Sequence, residues 1–111
     1  MPWLVQEHRD VVGHVVQQCD SVTVLGYRDR SSRILADTRD LLRLCDEQGR
    51  PYRIGVETQP PTAAIPSTMT FGDDGEAVMR RELTAVSDHL RQPLFDGFAI
   101  HHLGSWRSMP P

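Results

Sequence analysis

Apolar and polar positions alternate along the chain in two periods, and the change from one to the other marks the elements. Val22–Tyr27 (VTVLGY), Tyr52–Thr58 (YRIGVET) and Phe98–His102 (FAIHH) are short apolar runs that end on polar groups, which predicts strands. Between them the apolar residues recur at helical spacing. Val5, Val12, Val15, Val16 and Cys19 share one face of a helix over Val5–Cys19 that Gly13 weakens. Ile34, Leu35, Leu41, Leu42 and Cys45 stripe a second, with Ser31 or Ser32 as its cap and Gly49 where a left-handed C-terminal residue belongs. Met79, Leu83, Val86 and Leu90 stripe a third, which Thr70 begins, Asp73 and Asp74 favour in its first turn, and Pro93 stops.

Helix and strand in alternation imply parallel pairing through right-handed crossovers. The expected fold is therefore α/β, with three parallel strands in sequential order and three helices in a single domain over residues 1–111. All strand C-terminal ends then lie on one rim, where parallel α/β folds build their sites. The QPPTAAIPSTM segment after Thr58, with three prolines, is a long loop opening onto that rim.

Strand parity sorts the side chains. Phe98, Ile100, Ile54 and Val56 are large and apolar and face the helices, with His102 on the side of Phe98. Gly97, Ala99, His101, Gly55, Glu57, Thr23, Leu25 and Tyr27 turn to the other face. Tyr27, Glu57 and His101 thus converge at one end of one face. Small residues behind a polar one suit a curved, barrel-like interior.

Composition narrows the function classes. The formal charge is −3 with both signs interspersed, so no basic stripe exists to displace counterions from phosphates, and no nucleic-acid partner is expected. No apolar run approaches the ~20 residues that span a bilayer, and MPWLVQEHRD lacks the pattern of a signal peptide; the expectation is a soluble, cytoplasmic protein with no membrane partner. Cys19 and Cys45 have no CxxC spacing and are expected as free thiols. With no Gly-rich phosphate loop or nucleophile elbow, no cofactor is expected.

The series LGYRD, IGVET, a TF-led helix and GFAIHHLGSW resembles the C-terminal portion of a group of uncharacterised bacterial proteins that look like (β/α)8 barrels related in architecture to glycoside hydrolases. The resemblance covers Asp20 to Trp106 and implies the sixth, seventh and eighth strands of such a barrel. It also implies that Glu57 is the carboxylate at the end of the seventh strand, catalytic in many barrel glycosidases, and that Tyr27 is the tyrosine beside it. A full barrel takes about 250 residues, and this chain has 111. The implied function is a carbohydrate-active barrel fragment with half a site, completed by a missing barrel half. The alternative is a non-catalytic α/β ligand-binding or interaction module that forms a homo-oligomer through its open sheet edges.

A glycosidase uses two carboxyl groups, one protonated and one ionised. Glu57 supplies one; Asp29 is the nearest second candidate, with Arg28 as its ion-pair partner and a helix cap as its other role. Glu57 itself is either catalytic or a rim residue paired with Arg28 or His101. His101 either tunes Glu57 and bonds a sugar hydroxyl or is a satisfied interior histidine. Trp106 either stacks on a sugar ring or covers the sheet end, and Tyr27 either donates to Glu57 or fills the mouth. Tyr27, Arg28, Asp29, His101 and Trp106 are thus the candidate carbohydrate contacts. His8, His14 and His89 are expected in solvent. No metal site is expected, because neighbouring strand residues such as His101 and His102 point to opposite faces.

Overall fold

A computed structural model describes the chain from Pro2 to Pro111, with side chains from Gln6 onward. Its elements are α1 (Pro2–Gln18), β1 (Val22–Leu25), α2 (Ser31–Gln48), β2 (Tyr52–Glu57), a 3-10 turn (Ser67–Met69), α3 (Glu76–His89), β3 (Phe95–His101) and α4 (Leu103–Arg107). The three strands form one sheet in the order β1-β2-β3, and both pairs are parallel. Among the described residues no helix is long and apolar enough to cross a membrane.

One face of the sheet carries the core. Val24, Ile54 and Val56 are fully buried there with Ile34, Leu41 and Leu42 of α2 and Met79, Leu83 and Val86 of α3, and Phe98 and Ile100 pack against this cluster. Cys45 is buried and Cys19 half-buried, both as free thiols. The other face is open: Thr23 is exposed and Leu25 keeps 47% of its surface. A Cβ added to Gly55 would touch the Leu25 and Thr23 side chains, and Phe98 and Ile100 pack on the core side, as the expected parity has them. Gly26 faces the helix side, where a Cβ would stand 2.8 Å from Ile54 Cγ2, so Tyr27 turns with Leu25.

Several boundaries differ from the sequence expectation. α1 begins before Val5, whose side chain lies outside the described ones, and carries non-helical backbone at His8. Val12 and Val16 pack inward while Val15 is exposed. α2 ends at Gly49 with φ 68° as expected, but its N-cap is Arg30 and no side chain of that residue caps it. The Ser31 amide instead donates to Glu82 Oε1 of α3 at 2.9 Å, so the cap comes from another helix. That bond holds the Glu82 carboxyl below its ordinary pKa and ties α2 to α3.

α3 starts at Glu76, past the Asp73 and Asp74 expected in its first turn. The reason lies at Phe71, fully buried. Its amide donates to the Glu57 carbonyl at 2.9 Å, and Thr70 Oγ1 donates to the Gln59 carbonyl at 2.6 Å, folding residues 70–75 back onto the exit of β2. The first amides of α3, at Glu76 and Ala77, donate to the carbonyls of Pro110 and Pro111 at 2.8 and 3.1 Å. The tail after Gly104 therefore includes α4 and docks on α3. β3 begins at Phe95, three residues before the expected Phe98, through an irregularity opposite Tyr52–Ile54 where Gly97 takes φ 95°, a conformation glycine adopts without strain. His102 leaves the strand and caps α4 by accepting the Ser105 amide at Nδ1.

Two glycines should respond in opposite directions. A Cβ on Gly72 would stand 2.6 Å from the Gln59 carbonyl carbon and 2.8 Å from the Thr58 oxygen, so Gly72→Ala must push backbone apart and should cost about 2–3 kcal/mol. A Cβ on Gly13 would meet Leu44 and Gln48 side chains at 3.9 Å, ordinary contact inside a helix. Gly13→Ala should add about 0.5–1 kcal/mol. Urea unfolding midpoints check both.

Candidate functional site

β2 ends on Glu57 and β3 on His101, paired in register. The central strand therefore delivers a carboxylate, and the edge strand an imidazole, to the same point on the open face. The Glu57 side chain is only 5% exposed and that of His101 51%. His101 Nδ1 lies 3.0 Å from Glu57 Oε1 and 3.2 Å from Oε2. Glu57 Oε1 also accepts the amides of Thr58 at 3.0 Å and Gln59 at 3.1 Å.

These donors fix the charge. Burial by itself pushes the Glu57 carboxyl up, but the His101 hydrogen bond, the Gln59 amide, the His101 charge and the Thr58 amide together hold it below its ordinary value of 4.5. An ionised carboxylate accepts only, so Nδ1 of His101 carries the proton between them. Nε2 is then the ring's free nitrogen, without a protein partner among the described residues. In the neutral ring, a carboxylate that holds the Nδ1 proton leaves Nε2 as the acceptor facing a hydroxyl or water.

Thr58 keeps the two strand ends together. Its amide and hydroxyl both donate to the His101 carbonyl at 2.7 Å, and its Oγ1 lies 2.6 Å from Ser105 Oγ of α4. Neither Thr58 nor Ser105 stands out by residue type. Strand register brings Thr58 there, and the capped start of α4 brings Ser105.

Of the residues expected around Glu57, His101 is the one that bonds it. Tyr27 stands near enough for its hydroxyl pKa to be raised, first by burial and then by the Glu57 charge, but it makes no hydrogen bond to Glu57. Arg28 turns to α2 and pairs with Asp37 at 2.6 Å, so it is a partner of neither Asp29 nor Glu57. Asp29 does not cap α2. Its amide donates to the Thr68 carbonyl and its carboxyl stands 3.4 Å from the Arg30 guanidinium. Trp106 lies on the helix side with Phe98, Ile100, Met79 and Leu83, on the opposite face from Glu57. His102 caps α4, with its ring 5.0 Å from that of His101. Among the described residues no three His, Cys, Asp or Glu side chains gather to hold a metal ion.

No protein-family model, curated protein or solved structure matches this chain.

A second carboxyl pair lies in the loops beside the rim. Asp74 is pushed up to about 6, first by burial and then by a hydrogen bond and like charge from Asp29. Arg30 stands 3.8 Å from Asp74, and Asp74 Oδ2 is buried without a partner among the described residues. Burial and the neighbouring Asp29 charge thus favour the neutral form of the Asp74 carboxyl. Asp74 was legible only as a helix-start residue, because its partner lies in the loop after β1.

The two sites have opposite pH signatures. Glu57, held low in the fold, contributes stability above its ordinary 4.5 that is lost as pH falls through its lower folded value. Glu57→Gln should therefore cost about 1–3 kcal/mol at pH 7 and flatten the acid side of the stability curve. Asp74, raised from 3.8 to about 6, does the reverse: its neutral form is favoured below 3.8, and that advantage is lost as pH rises through about 6. Asp74→Asn should raise stability at pH 7 by on the order of 2 kcal/mol, a gain that shrinks between pH 6 and 3.8. Urea titrations from pH 3 to 8 read both signs.

Proposed function

We propose that this chain carries half of a carbohydrate-active, glycoside-hydrolase-like site on a partial (β/α) barrel. In this reading His101 moves the proton, Glu57 holds it, and further strands supply what the site lacks. One observation carries the reading: the Glu57–His101 pair stands at the C-terminal rim of a parallel sheet, on the face that no helix among the described residues covers. Parallel sheets are ordinarily covered on both faces, and in a barrel the inner face is covered by the opposite strands. Gly55 and Ala99 behind the pair, and exposed Leu25 beside it, suit such an interior.

The missing half follows from the charge. Glycoside hydrolysis requires one group that stays ionised and one that gives up a proton. Glu57 is the ionised kind. Asp74, pushed up to about 6, is the group that holds a proton more readily, yet it lies beside Asp29 and not at the pair on the strand ends. The isolated chain is accordingly a binder of sugar hydroxyls through His101 Nε2 and not a competent hydrolase. Against a panel of aryl glycosides it should show no turnover. In NMR titrations at least one monosaccharide of the same panel should shift the His101 ring and Thr58 amide signals, and His101→Ala should abolish the effect. Turnover that Glu57→Gln removes would overturn the incompetence, and a panel that leaves His101 unmoved would overturn the carbohydrate reading.

A second reading, a self-associating module without catalysis, is favoured by the exposure of Leu25 on the open face and by the open edges of β1 and β3. Sedimentation separates the two. A barrel fragment should associate with rising concentration and be returned to monomer by Leu25→Lys, whereas a discrete folded dimer that is silent to every sugar supports the module.

A further inference from the structure

On the helix side of the sheet, away from the Glu57–His101 pair, α2 and the C-terminal end of α3 enclose a cleft of about 370 Å3. Leu42 and Leu90 form a buried floor, and Leu35 and Ala36 an apolar wall. Arg39 and Arg43 line its α2 side one helical turn apart, close enough for their like charges to repel. Among the described residues nothing pairs closely with either guanidinium. The Arg39 side chain is 70% exposed, and its nearest acid is Asp40 at 4.0 Å. The Arg43 side chain has no ion pair or hydrogen bond among the described residues.

Of the acids one turn on from Arg43, Glu47 pairs with Arg9, and Asp46 lines the cleft without an ion pair to Arg43. Asp46 acts on the buried Tyr52 hydroxyl, whose pKa is pushed up to about 12 by burial first and then by the Asp46 charge. Tyr52 in turn donates to Gln92 Oε1. Asp46 and Gln92 thus line the cleft with two guanidinium groups beside them and an apolar floor below. His89 of α3 adds a ring opposite them.

That combination selects a ligand class. Guanidinium groups match a carboxylate in geometry and charge, and the apolar floor matches a hydrocarbon body. The volume lies at the low end for small-molecule sites, which limits the body to a short chain or a pair of fused rings. Inorganic phosphate would leave the floor wet. A neutral alcohol would cover the floor and leave both guanidiniums without a partner.

We propose that the α2–α3 cleft binds a small carboxylate with an apolar body, its carboxylate taken by Arg39 and Arg43 and its body lying on Leu35, Ala36, Leu42 and Leu90. This site is independent of the sheet rim, because it sits on the opposite face and shares no residue with the Glu57–His101 pair.

The test is an amide NMR titration of the full chain with octanoate and 2-naphthoate, beside octanol, 2-naphthol and inorganic phosphate. At least one carboxylate should give saturable shifts confined to residues 35–46 and 89–92. Its dissociation constant should be at least about tenfold lower than those of its alcohol and of phosphate. The double substitution Arg39→Gln with Arg43→Gln, at exposed positions that leave the core intact, should weaken it at least about tenfold with an unchanged far-ultraviolet spectrum. Equal binding of alcohol and carboxylate, unchanged affinity in the double variant, shifts on the open sheet face, or no binding of either carboxylate would each overturn the proposal.

Discussion

Glu57 is the point through which the sheet, the following loop and the edge strand are joined. Its carboxylate accepts from Thr58, Gln59 and His101, while its carbonyl accepts from Phe71. A buried carboxylate costs several kcal/mol in desolvation unless donors replace water. Here two of the replacing donors are backbone amides of the chain that leaves β2, so the loop can take only the course that points them inward. That course brings Phe71 into the core and delays the start of α3 to Glu76. The same carboxylate fixes the His101 ring and so ties β3 to β2 at the end where the ladder stops.

What the sequence carries plainly is whatever depends on periodicity. The order of strands and helices, their parallel direction, the left-handed Gly49 and the face on which Ile54, Val56, Phe98 and Ile100 lie all follow from spacing and side-chain size, and the structure has them so. The convergence of Glu57 and His101 was legible for the same reason, since parity and parallel register place them side by side. The barrel proposed for these strands is a further step that periodicity alone does not reach.

What it does not carry are partners chosen across loops. Arg28 has an acid next to it in sequence, Asp29, yet bonds Asp37, because α2 brings that residue over the end of β1 while the chain direction turns Asp29 toward Arg30 and Asp74. Ser31 looks like a cap by residue type, but Glu82 of α3 satisfies its amide instead. Trp106 sits past the last strand, where a stacking platform would be sought. The short helix α4, fixed by His102 and Ser105, turns it to the helix side. In each case the local rule is sound, and a contact made by tertiary packing outweighs it.

The charge of the Glu57–His101 pair bears on what could cover the open face. The donors that keep Glu57 ionised all come from this chain, so its charge is set before any further strand or subunit arrives. Covering the face removes water from around the half-exposed His101 ring and lowers the local dielectric, which strengthens the carboxylate–imidazole attraction. It also raises the cost of leaving Nε2 without a partner. A covering surface made only of apolar side chains would match Leu25 and Ala99 but strand that nitrogen. The surface that fits this face is therefore mixed: apolar opposite Leu25, with a hydroxyl, a water or an acid brought to Nε2 of His101 at the rim.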